Sequence, residues 1–244
     1  MTRIKKIALI FILLIVSVFL YKYSPYRVEF LGYYHKIWAH RVDSKEKLNA
    51  SLFFFNGVEL DLVYKADKNV LDVNHPPTKS INLSFENYLS EIETETYLWL
   101  DIKNLTLENS ELILSRLIKV LNQKKYSFDK VLIETHYPEA LPIFTEKGFI
   151  TSYYLPFGLH TKTASSLNIE INKIKSILEK QPKIGISSDY KDYDIMKKYF
   201  PDKNKYLWMI SSITERGFTK TRSILKDEKV KVVLVHYKSP TGNR

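Results

Sequence analysis

Cysteine is absent from this chain of 244 residues, and glycine and proline are scarce, at seven and nine residues. The lack of cysteine excludes a disulfide framework, a thiolate metal site and a lipid-modified cysteine anchor, but it leaves the cellular compartment undecided. The absence of low-complexity tracts and of repeats of solenoid length argues against repeat arrays and long linkers. Because 45% of the residues are hydrophobic, the chain can bury one full-sized core, and we expect one folded domain.

Motifs for nucleic-acid binding are also missing, although the formal net charge is +10. The sequence contains no helix-turn-helix, zinc finger or aromatic-basic RNA motif, and lysine-rich stretches are mostly solvated surface in globular proteins. We therefore expect no nucleic-acid partner. Attraction to anionic lipid headgroups or to phosphorylated substrates is physically reasonable, but net charge alone does not select either. The oligomeric state cannot be read from the sequence.

The longest apolar run of the chain lies at its N-terminus and follows a basic cluster. Arg3, Lys5 and Lys6 precede residues 7–20, which are apolar except for Ser17. This order is typical of a signal that directs export or anchors a protein in a membrane.

Residues 1–26 are therefore predicted to form a membrane anchor or signal segment ahead of a domain spanning residues 27–244. No small-x-small cleavage pattern precedes Ser24, which favours an uncleaved transmembrane anchor over a cleaved signal peptide. The positive flank predicts that the domain lies outside the cytoplasm, in the periplasm or the extracellular space.

After residue 35, short β-rich runs alternate with longer amphipathic stretches. Strands are predicted at residues 36–40, 57–63, 97–102, 130–135, 150–155, 183–187, 205–210 and 230–236. Helices are predicted at residues 44–54, 84–92, 108–124, 138–147, 164–180, 193–200 and 214–226. This order predicts an α/β fold, a (β/α)8 TIM barrel with its last helix missing or replaced. A doubly wound open sheet is the alternative, although no glycine-rich phosphate loop follows the first strand.

Polar side chains close several of the predicted strands. His40 and Arg41 end the first strand, Glu59 and Asp61 lie along the second, His75 follows in the next loop, and Asp101 and Lys103 end the third. The carboxyl ends of barrel strands meet at one mouth, and residues two apart on a strand face the same side. We therefore expect these side chains to converge, and three carboxylates in one place suit a hard cation such as Mg²⁺ or Ca²⁺.

In this order the motifs resemble the glycerophosphodiester phosphodiesterase-like barrel superfamily, including sphingomyelinase D-type phospholipases and the menorin family. The resemblance rests on Trp38-Ala39-His40-Arg41, Val58-Glu59-Leu60-Asp61, Asn74-His75-Pro76-Pro77 with Leu83-Ser84-Phe85-Glu86, and Leu100-Asp101-Ile102-Lys103. The ordered set is a strong signal, whereas any single piece is weak. Val42-Asp43-Ser44-Lys45 is closer to menorin than to the glycerophosphodiesterases, and the pairing of Asp with Lys is shared with the sphingomyelinase D-type enzymes.

The resemblance implies a metal held by Glu59, Asp61 and Asp101. It also implies that His40 and His75 perform acid-base or nucleophilic chemistry on a phosphodiester. Two cationic residues, Lys103 and Arg41, are then expected to stabilise charge on the phosphate, although Arg41 has an equally good alternative as an organiser of ion pairs.

The function implied is that of a membrane-anchored, metal-dependent phosphodiesterase acting on a glycerophosphodiester, a phospholipid or a phosphodiester-linked glycan. Attack by water would hydrolyse the substrate, whereas attack by a neighbouring substrate hydroxyl would form a cyclic phosphate, as in a phospholipase D-like lyase. The alternative is a catalytically inactive, menorin-like barrel that binds a phosphorylated glycan, lipid or protein.

Later strand ends supply candidate substrate contacts: Glu134, His136, Tyr154 and Trp208. Glu134 and His136 lie two apart and therefore share a side of the predicted fourth strand. Aromatic residues near the mouth can line a pocket, although packing in the core is the commoner use of such residues.

Overall fold

Within the residues described by the computed structural model, 3–209 and 217–237, eight parallel strands close into a barrel. The strands of the sheet are β1 (Ile37–His40), β2 (Gly57–Lys65), β3 (Val70–Val73), β4 (Tyr97–Ile102), β5 (Val131–Thr135), β6 (Ile150–Tyr154), β7 (Gly185–Asp189), β8 (Lys205–Met209) and β9 (Val230–His236). Closure occurs at β1, where Ala39 lies opposite Val58 of β2 and Ile37 lies opposite Val233 of β9. The predicted TIM barrel is confirmed.

Helices connect the strands and surround the barrel. In the described chain they are α1 (Arg3–Tyr23), α2 (Lys45–Leu52), α3 (Phe85–Leu89), α4 (Ser110–Gln123), α5 (Pro142–Glu146), α6 (Ala164–Lys180), α7 (Tyr193–Tyr199) and α8 (Phe218–Lys226). The hydroxyls of Ser44 and Ser84 cap α2 and α3 as expected, each accepting a backbone N–H bond of 3.2 Å. Three parts of the prediction lie outside the described residues. They are the last residue of the strand predicted at 205–210, the first three residues of the helix predicted at 214–226, and any last helix in residues 238–244.

The sequence reading missed β3, which was expected to be loop. Strand β2 continues to Lys65, and β3 returns beside it in antiparallel register, with Leu62 opposite Val73. A tight turn whose Asn69 adopts φ 49° joins the two strands, and asparagine tolerates this left-handed conformation better than most residues. As a result, Asn74 returns to the barrel, where its backbone N–H donates to the carbonyl of Asp61 at 3.0 Å.

Large side chains fill the interior of the barrel, separately from the layer between strands and helices. This interior cluster consists of Trp38, Trp99, Leu132, Tyr206, Trp208, Val232 and Leu234. Gly57 makes room for one of these residues, because a Cβ atom at this position would lie 2.3 Å from the Trp38 ring. The absence of a side chain at residue 57 therefore allows the indole to fill the space between β1 and β2.

Gly57→Ala should lower the free energy of unfolding by about 1–3 kcal/mol, because overpacking of a close-packed interior forces side chains or backbone to move. Urea unfolding of the wild type and the variant measures this loss. Trp38→Leu should restore part of the stability when combined with Gly57→Ala, since it removes the clashing ring. A neutral Gly57→Ala variant would show that the barrel accommodates the methyl group.

The N-terminal helix α1 exposes apolar side chains, including those of Ile10, Phe11 and Leu14. No helix among the described residues is long and apolar enough to cross a membrane, so the predicted transmembrane helix is not supported. The apolar run of residues 7–20, which only Ser17 interrupts, spans roughly 21 Å as a helix, whereas a hydrocarbon core is about 30 Å thick.

Candidate metal centre at the barrel mouth

Three carboxylates from two adjacent strands form the centre of the site. Glu59 and Asp61 lie on β2, and Asp61 stands directly opposite Asp101 of β4. Glu59 and Asp61 are almost fully buried, at 2% and 1% exposure. One oxygen from each of the three acids lies within 4.8 Å of the others. The structure thus brings together the three predicted metal ligands.

The loop after β1 is joined to β2 by three hydrogen bonds, all of which involve Glu59 or Asp61 of β2. The backbone N–H groups of Arg41 and Val42 donate to Glu59 Oε2 at 2.6 Å and to the Glu59 carbonyl at 2.8 Å. In the opposite direction, the Asp61 N–H donates to Asp43 Oδ1 at 2.9 Å. Arg41 has φ 53°, a conformation that costs energy for a non-glycine residue and that occurs often at functional sites.

The burial of several carboxylates together creates an electrostatic demand for a cation. Burial and the charges of Asp61, Asp43 and Asp101 raise the pKa of Glu59 well above its ordinary value. The pKa of Asp101 is also raised, chiefly by burial. Asp61 Oδ2 is buried and has no hydrogen-bond partner in the described chain. Because oxygen ligands of this type suit Mg²⁺ and Ca²⁺, the residues fit a hard divalent cation.

Lys103 supplies part of the required positive charge. Its ammonium lies 2.5 Å from Asp61 Oδ1 and also donates to Asp101 Oδ2. Burial lowers the pKa of Lys103, but the two carboxylates outweigh this effect and raise it. Lys103 therefore stays protonated among the acids, at the barrel mouth as predicted.

The two predicted histidines contact different residues of the site, His40 near Glu59 and His75 near Arg41. His40 Nε2 is 3.6 Å from Glu59 Oε2, and its buried Nδ1 has no hydrogen-bond partner within the described structure. Burial lowers the pKa of His40 well below its ordinary value, so its imidazole is neutral at neutral pH. His75 Nε2 lies 2.9 Å from Arg41 Nη2. Arg41, Asn74 and His75 share the lining of a cleft of about 220 Å³.

The four later candidates form a second group across the mouth. The His136 ring stacks on Tyr154, with ring centroids 3.6 Å apart, and Trp208 packs edge-on against Tyr154 at 4.7 Å. Trp208 is 9% exposed, whereas Glu134 is buried and accepts a hydrogen bond of 3.0 Å from Trp99 Nε1. His136 and Tyr154 therefore lie at the surface of the mouth, with Trp208 and Glu134 beneath them.

Asp43 is the residue of this site that the sequence reading did not select. Burial and the charge of Asp61 raise its pKa to about 7. Asp43 also lines the cleft that contains His75. An acid in the first loop after a barrel strand is the available sequence signal, but the link to the Asp61 backbone depends on the tertiary structure.

Comparisons based on sequence identify no relative: no protein-family model matches the chain, and no curated protein does. Comparison of structures is more informative. A glycerophosphodiester phosphodiesterase from Thermotoga maritima superposes with a TM-score of 0.57 at 13% identity, over 82% of this chain and 93% of that one.

Two further structures extend this similarity. A phosphodiesterase from Oleispira antarctica, solved with its product sn-glycerol-3-phosphate, has a TM-score of 0.57 and 12% identity, over 85% of this chain and 95% of that one. A calcium-dependent phosphoinositol-specific phospholipase C from Pseudomonas sp. has a TM-score of 0.51 and 11% identity, over 86% and 90% of the two chains. These similarities establish the fold. The resemblance to menorin and to sphingomyelinase D-type enzymes stays a prediction.

Proposed function

We propose that this chain, whose barrel has the fold of the glycerophosphodiester phosphodiesterases, is a metal-dependent phosphodiesterase. The observation that carries the proposal is the meeting of Glu59, Asp61 and Asp101 within 4.8 Å, at the barrel mouth that also holds His40 and His75. Fold alone does not determine activity. The chemistry of these side chains makes phosphodiester cleavage the function that the site supports best.

The three carboxylates would hold Mg²⁺ or Ca²⁺. When bound, such an ion supplies Lewis-acid polarisation of a phosphoryl oxygen and neutralises part of the charge on a phosphodiester. The hydrogen bonds from the loop after β1 keep Glu59 and Asp61 in place before any ion arrives, which lowers the cost of ordering these ligands.

His40 is suited to accept a proton. Its imidazole is neutral at neutral pH because burial lowers its pKa, and a neutral ring nitrogen can take a proton from an attacking hydroxyl or water. The complementary task of protonating the leaving alkoxide falls to His75, which must first take up a proton because its Nε2 accepts a hydrogen bond from Arg41 Nη2 in this structure. The guanidinium of Arg41, 2.9 Å from His75 Nε2, orients this ring in the cleft.

Positive side chains would stabilise the charge that develops on the non-bridging phosphate oxygens. Lys103 stays protonated among the acids, and Arg41 extends its guanidinium into the cleft. Preorganised charges of this kind generally make the largest contribution to phosphoryl-transfer catalysis. Arg41 thus serves both as an organiser of His75 and as a phosphate contact.

We propose a glycerophosphodiester or a related polyol phosphodiester as substrate. The Oleispira antarctica phosphodiesterase was solved with sn-glycerol-3-phosphate, and a shallow aromatic surface made by His136 and Tyr154 can pack against the carbon face of a polyol. Attack by water yields a monoester, whereas attack by an adjacent substrate hydroxyl yields a cyclic phosphate. Phosphorus NMR of the products distinguishes the two outcomes.

Turnover by the full chain is the direct test. Glycerophosphocholine, a lysophospholipid and a glycan phosphodiester should be offered with Mg²⁺ or Ca²⁺, and cleavage of at least one should stop on chelation and resume on readdition. Inactivity across this panel, combined with retained binding of a phosphorylated ligand, would instead support the noncatalytic barrel predicted as the alternative.

Tyr154→Ala should raise KM about tenfold and change kcat little, because loss of an aromatic contact costs about 1.4 kcal/mol of binding. Steady-state kinetics on the best substrate measures this change. Tyr199→Ala on α7 is the matched control and should leave KM unchanged. A fall in kcat with an unaltered KM would place Tyr154 outside the substrate-binding surface.

Membrane association and a location outside the cytoplasm form the second part of this proposal. They are supported by the exposed apolar residues of α1 and by the basic residues that precede them. Cell fractionation of the full chain, with protease protection to establish the side of the membrane, tests the location. Recovery of the intact chain in the cytosol would contradict it.

A further inference from the structure

A basic groove lies on the outside of the barrel, between α7 and α8. It has a volume of about 420 Å³ and is lined by Lys197, Thr219, Arg222, Ser223, Lys226 and Asp227. The only acidic side chain of this lining is already engaged, since Asp227 Oδ2 accepts a hydrogen bond of 3.1 Å from Tyr193 and Asp227 Oδ1 accepts one of 2.8 Å from the Lys229 N–H. The groove therefore presents the cationic side chains of Lys197 and Lys226 to solvent, whereas Arg222 is partly buried.

Exposed apolar side chains lie next to the groove. Arg222 Nη1 donates to the carbonyls of Glu29 and Leu31, so α8 is joined to the segment that follows α1. Leu31 is 63% exposed, and Phe218, one turn before Arg222 on α8, is 49% exposed. Cationic and apolar groups thus form one continuous surface, next to the point where the chain leaves the apolar helix α1.

The groove faces away from the candidate metal centre. Helices α7 and α8 run back from the barrel mouth, so Lys197 and Lys226, near their C-terminal ends, lie at the opposite end of the barrel. Lys36, just before β1, confirms this position because its ammonium donates to the carbonyl of Leu225 at 2.9 Å and to that of Asp227 at 2.8 Å. The groove is therefore separate from the site proposed for catalysis.

We propose that this surface docks the domain onto an anionic phospholipid bilayer. Phosphate headgroups complement the two exposed lysines, each basic residue near an anionic bilayer adds to the attraction, and Leu31 and Phe218 can enter the interfacial layer as shallow apolar anchors. Docking through this lateral face leaves the barrel mouth uncovered, because the groove is separate from the candidate metal centre. If the proposed phosphodiesterase function holds, the docked enzyme keeps access to substrates from the aqueous side.

Vesicle co-sedimentation of the full chain tests the docking surface without any activity measurement. Phosphatidylglycerol vesicles should bind the protein more tightly than phosphatidylcholine vesicles, and salt should weaken the preference. Lys197→Glu combined with Lys226→Glu should lower the partition coefficient for the anionic vesicles about tenfold or more, and leave binding to phosphatidylcholine unchanged.

The matched control reverses two exposed lysines of α6, Lys173→Glu and Lys175→Glu, which changes the net charge by the same amount. This control should reduce anionic binding less than twofold. Equal losses in both double variants would show that only net charge matters and would overturn the proposal, as would wild-type binding by the groove variant. Thermal unfolding verifies that both variants fold, and turnover of a soluble phosphodiester should be unchanged in both.

Discussion

Glu59→Gln should reduce kcat/KM about a thousandfold or more and abolish the stabilisation of the protein by Mg²⁺ or Ca²⁺. In the wild type the Arg41 N–H donates to Glu59 Oε2 at 2.6 Å. Glutamine keeps the size of the side chain and offers its amide oxygen to the same N–H. The variant therefore removes one negative charge and preserves the hydrogen bond to the loop. A loss of about 4 kcal/mol of transition-state stabilisation corresponds to this factor.

Thermal unfolding provides a readout of Glu59→Gln that does not depend on activity. An ion that binds only the native state stabilises it by an amount that grows with the logarithm of ion concentration above its Kd, so the wild-type midpoint of unfolding should rise with ion concentration and the variant midpoint should not. Without added ion, the variant should unfold no earlier than the wild type, because burial and neighbouring carboxylates oppose the charge of Glu59.

Glu46→Gln, at an exposed position of α2, is the matched control for the same chemical change. It should retain both turnover and stabilisation by the ion. An ion-dependent midpoint that persists in Glu59→Gln would exclude Glu59 as a ligand, whatever the kinetics show.

His40→Gln should reduce kcat about 10²- to 10⁴-fold and leave KM nearly unchanged, as expected when a general base is lost. The side chain of His40 is 12% exposed and lies 3.6 Å from Glu59 Oε2. Glutamine was chosen because it fills much of the same space and cannot accept a proton at neutral pH. Single-turnover kinetics with saturating substrate measures the chemical step.

The ion-dependent rise in unfolding midpoint should persist in His40→Gln, which separates this variant from Glu59→Gln. His35→Gln, at an exposed position two residues before β1, should behave as the wild type in both assays. Turnover of His40→Gln at the wild-type rate would assign proton transfer to another residue, with His75 the nearest candidate.

Much of the barrel and its acidic centre could be predicted because both depend on local patterns. Alternation along the apolar runs of β2 and β4 determined which side chains face inward, and it placed Glu59, Asp61 and Asp101 on one surface. The helix starts at Ser44 and Ser84 were predictable for the same reason, since a capping hydroxyl acts on backbone only three residues away.

Interactions between distant segments could not be predicted in this way. The return strand β3 is short, and its pairing with β2 depends on the turn at Asn69 as much as on its own residues. Asp43 was overlooked because its partner is the backbone N–H of Asp61, 18 residues later. Tyr154 and Trp208 could be named, but which of them reaches the surface was not readable from the sequence.

Local sequence patterns were sufficient to predict the order of strands and helices, the inward direction of the three carboxylates and the basic, apolar character of the N-terminus. These properties follow from periodicity and from side-chain type, which act over a few residues. The folded barrel, in contrast, determines how the loop after β1 holds Glu59 and Asp61, how β3 returns His75 to the mouth, and where the basic groove lies. Each of these depends on closure of the barrel, because closure brings residues distant in sequence within hydrogen-bonding distance.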